Sequence, residues 1–212
     1  MAEPSISIAV IKRLPRYYRY LGDLLDNGIT RISSKDLSRR MNVTASQIRQ
    51  DLSNFGCFGQ QGYGYHVEML YDEIKKILGL DRLYRLVIIG AGHLGQALAS
   101  YKNFERRGFL FIGLFDIDPG LVGQKVENVP IYPLDRLESF LAQNPVDIAV
   151  LTLPHQGASD VAKLIMASGV KGIWNFSHVD IPHAPDVKIE NVHLTDSLMT
   201  LSYKLNEGDN VE

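Results

Sequence analysis

The residues best suited to chemistry are Gly90-Ala91-Gly92-His93-Leu94-Gly95. A Gly-x-Gly-x-x-Gly series that follows an apolar strand and opens a helix is suited to hold a pyrophosphate. Gly90 permits the tight turn, Gly92 lets the backbone approach the phosphates, Gly95 lets helix and strand pack closely, and the free N–H groups of the helix start face the negative charge. The motif alone is not specific. Its complement is Asp116, roughly 20 residues on at the end of the next strand, where a carboxylate accepts hydrogen bonds from adenine-ribose hydroxyls. That carboxylate repels a 2′-phosphate, so the pair predicts NAD or NADH rather than their 2′-phosphorylated counterparts. Two loops at the same carboxyl edge, Thr152-Leu153-Pro154-His155 and Asn175-Phe176-Ser177, are placed to line the nicotinamide half. Thr152, Pro154, Asn175 and Phe176 are therefore candidates, with ordinary strand-to-helix loops as the alternative. His155, His178, His183 and His193 each have the chemistry of a base, but a hydride-transfer enzyme generally presents its base and a carboxylate-binding arginine from a catalytic domain. No length of this chain is left for one, so no catalytic residue is expected and the chain is not expected to be an enzyme. On these residues alone, a small NAD-dependent oxidoreductase and a CoA- or nucleotide-binding scaffold stay open.

A second set lies between residues 44 and 64. Arg49 and Gln50 have side chains that match guanine and adenine edges in a major groove, while Thr44 and Ser46 suit phosphates. Gln47 and Ser53 share the same outward face. Next comes Gln60-Gln61-Gly62-Tyr63-Gly64, a Gly-bearing stretch able to enter a minor groove or grip a backbone. A small helical dimerisation module with a solvated polar face is the competing reading.

Both sets need particular elements around them. Residues 5–27 have helical apolar spacing, with Asn27-Gly28 as a stop and a kink or break expected at Pro15. Ser33-Ser34-Lys35-Asp36 opens a short helix to Met41, Asn42-Val43 turns, and Thr44 caps a third helix through Ile48, Leu52 and Phe55 to Gly56. Two short helices joined by a tight turn, with a Gly-bearing hairpin over 58–65 after them, have the form of a winged helix. A further helix runs from His66 to Leu78. From residue 84 the pattern changes to apolar runs at 86–89, 110–115, 130–132, 147–152, 172–176 and 187–192, with helices at 93–102, 134–143 and 158–168. That alternation predicts an α/β fold with a doubly wound parallel sheet. Leu194, Leu198, Leu201 and Leu205 then form a narrow apolar stripe, suited equally to its own domain or to a partner subunit.

Charge divides along the same line. Residues 1–60 carry nine Lys/Arg against five acids, and residues 80–212 carry eleven against sixteen. A polyanion partner for the first part follows. No run of the chain approaches the roughly 20 apolar residues of a membrane helix, and residues 1–10 lack a signal-peptide pattern. The lone Cys57 makes neither an internal disulfide nor a metal cluster by itself, so no metal is expected and the expected setting is cytoplasmic.

Taken together, Arg49-Gln50-Asp51-Leu52-Ser53-Asn54-Phe55-Gly56, Phe58-Gly59 with Gly62-Tyr63-Gly64-Tyr65, the loop at 90–95, Phe115-Asp116-Ile117-Asp118-Pro119 and Gly172-Ile173-Trp174-Asn175-Phe176 resemble the bacterial Rex family. The resemblance spans nearly the whole chain. It implies a homodimeric redox-sensing transcriptional repressor with a winged-helix DNA-binding domain at 1–80, a Rossmann NAD(H)-binding domain at 81–193 and a helix and tail at 194–212 swapped between subunits. It also implies palindromic operator DNA bound in the apo or NAD state and released by NADH. By position, Arg13 and Arg19 on the first helix, Arg49, Gly62 and Gly64 match DNA-contacting or domain-coupling residues, and Arg16, between the first two, is a further DNA-binding candidate. Tyr101, on the helix after the phosphate loop, matches a tyrosine near the nicotinamide. Two departures stand out: Gln50 replaces a lysine of some relatives, and His193 stands where at least one relative has an aspartate in a cross-subunit network.

Overall fold

The computed structural model describes residues 6–54, 59–60, 63–182 and 184–207. Its chain divides into two compact units, Met1–Arg82 and Leu83–Glu212. Among the residues singled out above, Ser5, Phe55, Gly56, Cys57, Phe58, Gln61, Gly62, His183 and the Gln60 side chain lie outside the described residues.

The first unit starts with α1 (Ile8–Asp26), capped by the Ser7 hydroxyl, which accepts from Val10 N–H. The break expected at Pro15 does not occur: α1 is one continuous helix. Pro15 is exposed while Leu14, Tyr17, Leu21 and Leu24 are buried. Each such burial contributes about 1.5–3 kcal/mol, which together outweighs the roughly 3 kcal/mol cost of a proline inside a helix. A strand the sequence pattern did not reveal, β1 (Arg31–Ile32), follows. It is too short for alternation to show.

Next come α2 (Ser34–Met41) and α3 (Ala45–Ser53), separated by Asn42 in the left-handed region at φ 52°. Ser33 and Thr44 cap them by accepting from the backbone N–H groups of Asp36 and Gln47. The strands β2 (Gly59–Gln60) and β3 (Gly64–His66) form the antiparallel wing, with β1 on the far edge of β3. Then α4 (Val67–Ile77) closes the unit. Leu37, Met41, Ile48, Leu52, Val67, Leu70 and Ile74 join the α1 side chains in one core. This is a winged helix.

In the second unit the sheet order is β10-β9-β8-β4-β5-β7-β6. The elements are β4 (Tyr84–Ile89), α5 (His93–Ala99), β5 (Phe109–Asp116), β6 (Lys125–Val126), β7 (Val129–Pro133), α6 (Leu137–Gln143), β8 (Ile148–Leu151), α7 (His155–Ala167), β9 (Gly172–Asn175), β10 (Lys188–Asn191) and α8 (Leu194–Glu207). All pairings are parallel except that of β7 with β6, a two-residue strand beyond the six predicted ones. Residues of β4 alternate between two cores: Val87 and Ile89 pack towards α6 and α7, Leu86 and Ile88 towards the opposite face.

One predicted helix ends early, and another begins where expected. Instead of reaching 102, α5 stops at Ala99, because Ser100 returns its hydroxyl to Gln96 O and Tyr101 N–H closes a tight turn on Leu98 O. The regular part of α7 starts at Ala158, after a non-helical Gln156-Gly157 pair. No residue of α8 is buried. Its leucines at 194, 198, 201 and 205 are 51–74% exposed, so the reading in which they pack on their own domain fails. Among the described residues no helix is long and apolar enough to cross a membrane.

Candidate functional site

The chain runs from β4 out to β5 and returns to β8 on the other side of β4, so the order of strand connection reverses between the parallel neighbours β4 and β8. Open α/β sheets take ligands at the carboxyl edge of such a reversal. Here lies the 90–95 loop. Gly90 N–H donates to Phe115 O, and Thr152 Oγ1 donates to Gly90 O at 2.6 Å. Gln96 Nε2 donates to Ala91 O at 2.7 Å. A side chain at Gly90 is excluded by φ +104° and by Thr152 O, and a Cβ at Gly95 would overlap Gly90 O. Gly92 differs: a methyl group there meets no protein atom within 4 Å. Packing explains two glycines and leaves Gly92 to the approach of a ligand. The first helical bond of α5 runs from Gln96 N–H to Gly92 O, which leaves the N–H groups of His93, Leu94 and Gly95 as first-turn donors beside that opening. These residues fit a pyrophosphate.

Asp116 ends β5 against the loop. Its Oδ2 accepts from Ala91 N–H at 2.5 Å and its Oδ1 from Asp118 N–H at 2.9 Å. The carboxylate thus shapes both the loop and the following turn and stays half-exposed.

The nicotinamide candidates divide. Thr152 gives its hydroxyl proton to Gly90 O, so it braces the phosphate loop. Asn175 is fully buried: Nδ2 donates to Val179 O and Asn191 Oδ1, while Oδ1 accepts from the backbone and hydroxyl of Ser177. With donors and acceptor all engaged, it builds the edge rather than offering a free polar group, which corrects its assignment as a contact. Pro154 is exposed, and Phe176 is half-buried edge-to-face on Trp174. Tyr101 is 54% exposed in the turn after α5, its ring against Phe104 and its hydroxyl accepting from Asn103. His155 and His178 are exposed. His193, just before α8, lies 2.9 Å from Asp180, and that hydrogen bond raises its pKa above 6.5. Among the described residues no cluster of His, Cys, Asp and Glu could hold a metal.

The first unit presents Ser46, Arg49, Gln50 and Ser53 on the exposed face of α3. Arg49 donates to Ser34 Oγ at 3.1 Å, and the Ser53 hydroxyl donates to Gln50 O. Arg16 and Arg19 are exposed on α1, both near the Tyr20 ring. Tyr63 is exposed at the wing with the Arg31 guanidinium 6.0 Å from its ring centre. The wing's Gly64 has a structural reason to be glycine: at φ +72° a Cβ would strike Ile32 O.

Two of the expected DNA contacts also have a partner inside the protein: Arg13 and Gln47 each commit part of their donors to Asp51, a fully buried carboxylate on α3. Arg13 Nε and Nη2 each donate to it at 2.7 Å, Gln47 Nε2 at 2.8 Å and the Tyr17 hydroxyl at 2.9 Å. Burial pushes the Asp51 pKa up, but the Arg13, Gln47 and Tyr17 hydrogen bonds and the Arg13 charge prevail and hold it below the usual range. Burial and the same carboxylate push the Tyr17 pKa far up. From sequence, Asp51 had no role of its own beyond its place in the family motif. An acid on a helix meant to face phosphates was the available signal that something neutralises it.

Residues 5–53 match a family model described as "Putative DNA-binding protein N-terminus", and 81–179 one described as "CoA binding domain". A redox-sensing transcriptional repressor Rex of Caldicellulosiruptor saccharolyticus is 55% identical over 203 residues, 96% of this chain and 93% of its own. The Rex of Clostridioides difficile is 54% identical over 208 residues, 98% and 99% of the two chains. Among solved structures, RSP in complex with β-NAD+ and operator DNA superimposes with a TM-score of 0.90 at 54% identity, covering 96% of this chain and 94% of that one. RSP in complex with β-NADH gives 0.87 at 51%, covering 96% of each. Identity above one half across both the winged helix and the loop-bearing sheet goes beyond a shared fold, and the chain belongs to the Rex family of redox-sensing transcriptional repressors.

Proposed function

We propose that this chain acts as a cytoplasmic homodimeric repressor that binds palindromic operator DNA in the apo or NAD state and leaves it on binding NADH, reporting the NADH/NAD ratio. The observation that carries the proposal is the open Gly92 cradle beside Asp116, in one chain with an α3 whose Ser46, Arg49 and Gln50 face solvent. The dinucleotide supplies the redox state to be read. The protein's residues supply the rest: first-turn donors of α5 for the pyrophosphate, Asp116 for the adenine ribose, and Tyr101, Pro154 and Phe176 for the nicotinamide side.

NADH is favoured over CoA by Asp116, since the ribose 3′-phosphate of CoA would meet that carboxylate. Dimerisation is supported by the unburied α8 stripe and by an apolar recess of about 240 Å³ between Leu86, Phe104, Phe109, Ile148 and Trp174. We assign the segment 194–212, a helix (α8) and tail, to exchange between subunits, with the winged helix at 1–80 and the Rossmann domain at 81–193. NADH then favours a pairing of Rossmann domains that moves the two α3 helices off the spacing of successive major grooves, about 34 Å.

The test is titration of a palindromic duplex with the protein alone, with NAD+ and with NADH at stated salt, because phosphate contacts make affinity salt-dependent. Release by NADH alone supports the proposal. Binding indifferent to NADH, or steady turnover of NADH with a simple carbonyl, rejects it.

A further inference from the structure

We infer that Asp51 is a positioning residue for operator recognition, fixing the rotation of α3 against α1 through Arg13 and Tyr17. The inference rests on the DNA-binding reading above and adds a residue that touches no DNA. Among the described residues Asp51 is the one fully buried charged side chain, and all four of its hydrogen bonds come from two helices. Arg13 and Tyr17 lie one turn apart on α1, and Gln47 lies one turn before Asp51 on α3. A carboxylate has about four acceptor sites, so this one is saturated.

Apolar packing of α3 by Ile48 and Leu52 sets its depth but tolerates rotation about its axis. Each residue of rotation is about 100°, so a small slip moves Arg49 and Gln50 away from base edges. The forked Arg13 pair allows one geometry. Burying such a pair contributes little net stability, because desolvation offsets the attraction, whereas fixing one arrangement is its best-attested use. Cancelling the acid also keeps the DNA-facing helix free of a negative charge.

Wild type, Asp51→Asn, Arg13→Lys and the double variant are titrated, across a range of salt, with two duplexes of equal length. One is a palindrome selected by the wild-type protein from a random pool; the other is its scrambled form. NADH affinity and circular dichroism are recorded alongside. For each single variant, palindrome affinity falls about tenfold or more while scrambled affinity changes less than about twofold. The salt slope stays the same, because no phosphate contact has gone. Lysine keeps the Arg13 charge but not its fork, and the double variant loses no more than the worse single variant, because both act through one contact.

Four outcomes overturn the inference: wild-type palindrome affinity in Arg13→Lys, a salt slope lower by about one, additive losses in the double variant, or equal losses on both duplexes as partial unfolding would give. Failure of the wild-type protein to bind either duplex overturns the DNA-binding reading, and this inference with it.

Discussion

Replacing Gly92 by alanine separates a ligand cradle from a glycine needed by the fold. The backbone at Gly92 has φ −68° and ψ −172°, open to any residue, and the added methyl meets no protein atom within 4 Å. Alanine at such a position stabilises by about 0.4–1 kcal/mol, by narrowing the unfolded ensemble. That raises Tm by roughly one to several degrees for a domain of this size. A pyrophosphate lying on the same backbone meets the new methyl at a cost of about 1–3 kcal/mol, which is about 5- to 150-fold in affinity. The expected Gly92→Ala protein is therefore as stable as wild type or slightly more so, yet poor at holding NADH. Gly95→Ala is the control: its methyl overlaps Gly90 O, so stability and binding fall together. Thermal denaturation without nucleotide and calorimetric titration with NADH measure the two quantities. Wild-type NADH affinity in Gly92→Ala, or a lowered Tm, would refute the cradle.

Asp116→Asn removes the charge that repels a 2′-phosphate while keeping an acceptor for Ala91 N–H; in competitive titration NADH weakens and the preference for NADH over NADPH shrinks. Because the folded pKa of His193 lies above 6.5, its pairing with Asp180 is complete below pH 6.5 and is lost as pH rises through the higher folded value. An NMR titration of the imidazole shows a midpoint above 6.5 that moves down in Asp180→Asn, and an unmoved midpoint rejects the pair. Glutamate at Leu198 and Leu201, 65% and 51% exposed in one chain, leaves the fold intact but converts the proposed dimer to monomer in sedimentation. A dimer of wild-type strength in that variant excludes α8 from the interface.

The parts of this fold with long periods were legible in the sequence. The apolar runs of β4, β5 and β8 are buried on both faces, and the caps at Ser33 and Thr44 rest on local chemistry alone. What was not legible depends on contacts distant in sequence. The two-residue β1 exists only through β3, and the short α5 ends where Ser100 and Tyr101 fold back. Proline's local penalty predicted a kink or a break in α1, and tertiary burial kept the helix in one piece. Arg13 and Gln47 read as DNA donors because residue type shows a donor and not its partner; Asp51 lies 38 residues from Arg13. The same holds for Asn175, whose amide is satisfied by Val179 and Asn191.

NAD+ and NADH are identical over the adenine, ribose and pyrophosphate, so in the proposed site the Gly92 cradle and Asp116 supply affinity without discrimination. Near-complete switching between two states needs about 10⁴-fold differential affinity, roughly 5.5 kcal/mol, and a ligand shifts states only by that differential. Two equivalent sites in the proposed homodimer reduce the demand to about 10² each. It falls on groups that sense a planar cation against a neutral puckered ring. Thr152 has given its proton to Gly90 O, and Asn175 is saturated. Phe176 and Pro154, in their proposed place beside the nicotinamide, offer only shape. Tyr101 is the candidate here that adds an exposed hydroxyl, and the Asn103 amide already donates to that oxygen, leaving its own proton to give. A hydroxyl proton is repelled by a cationic ring and tolerated by a neutral one. Tyr101→Phe should therefore compress the ratio of NADH to NAD+ affinity while leaving the adenine half untouched, and a ratio unchanged by that substitution places the discrimination in ring shape instead.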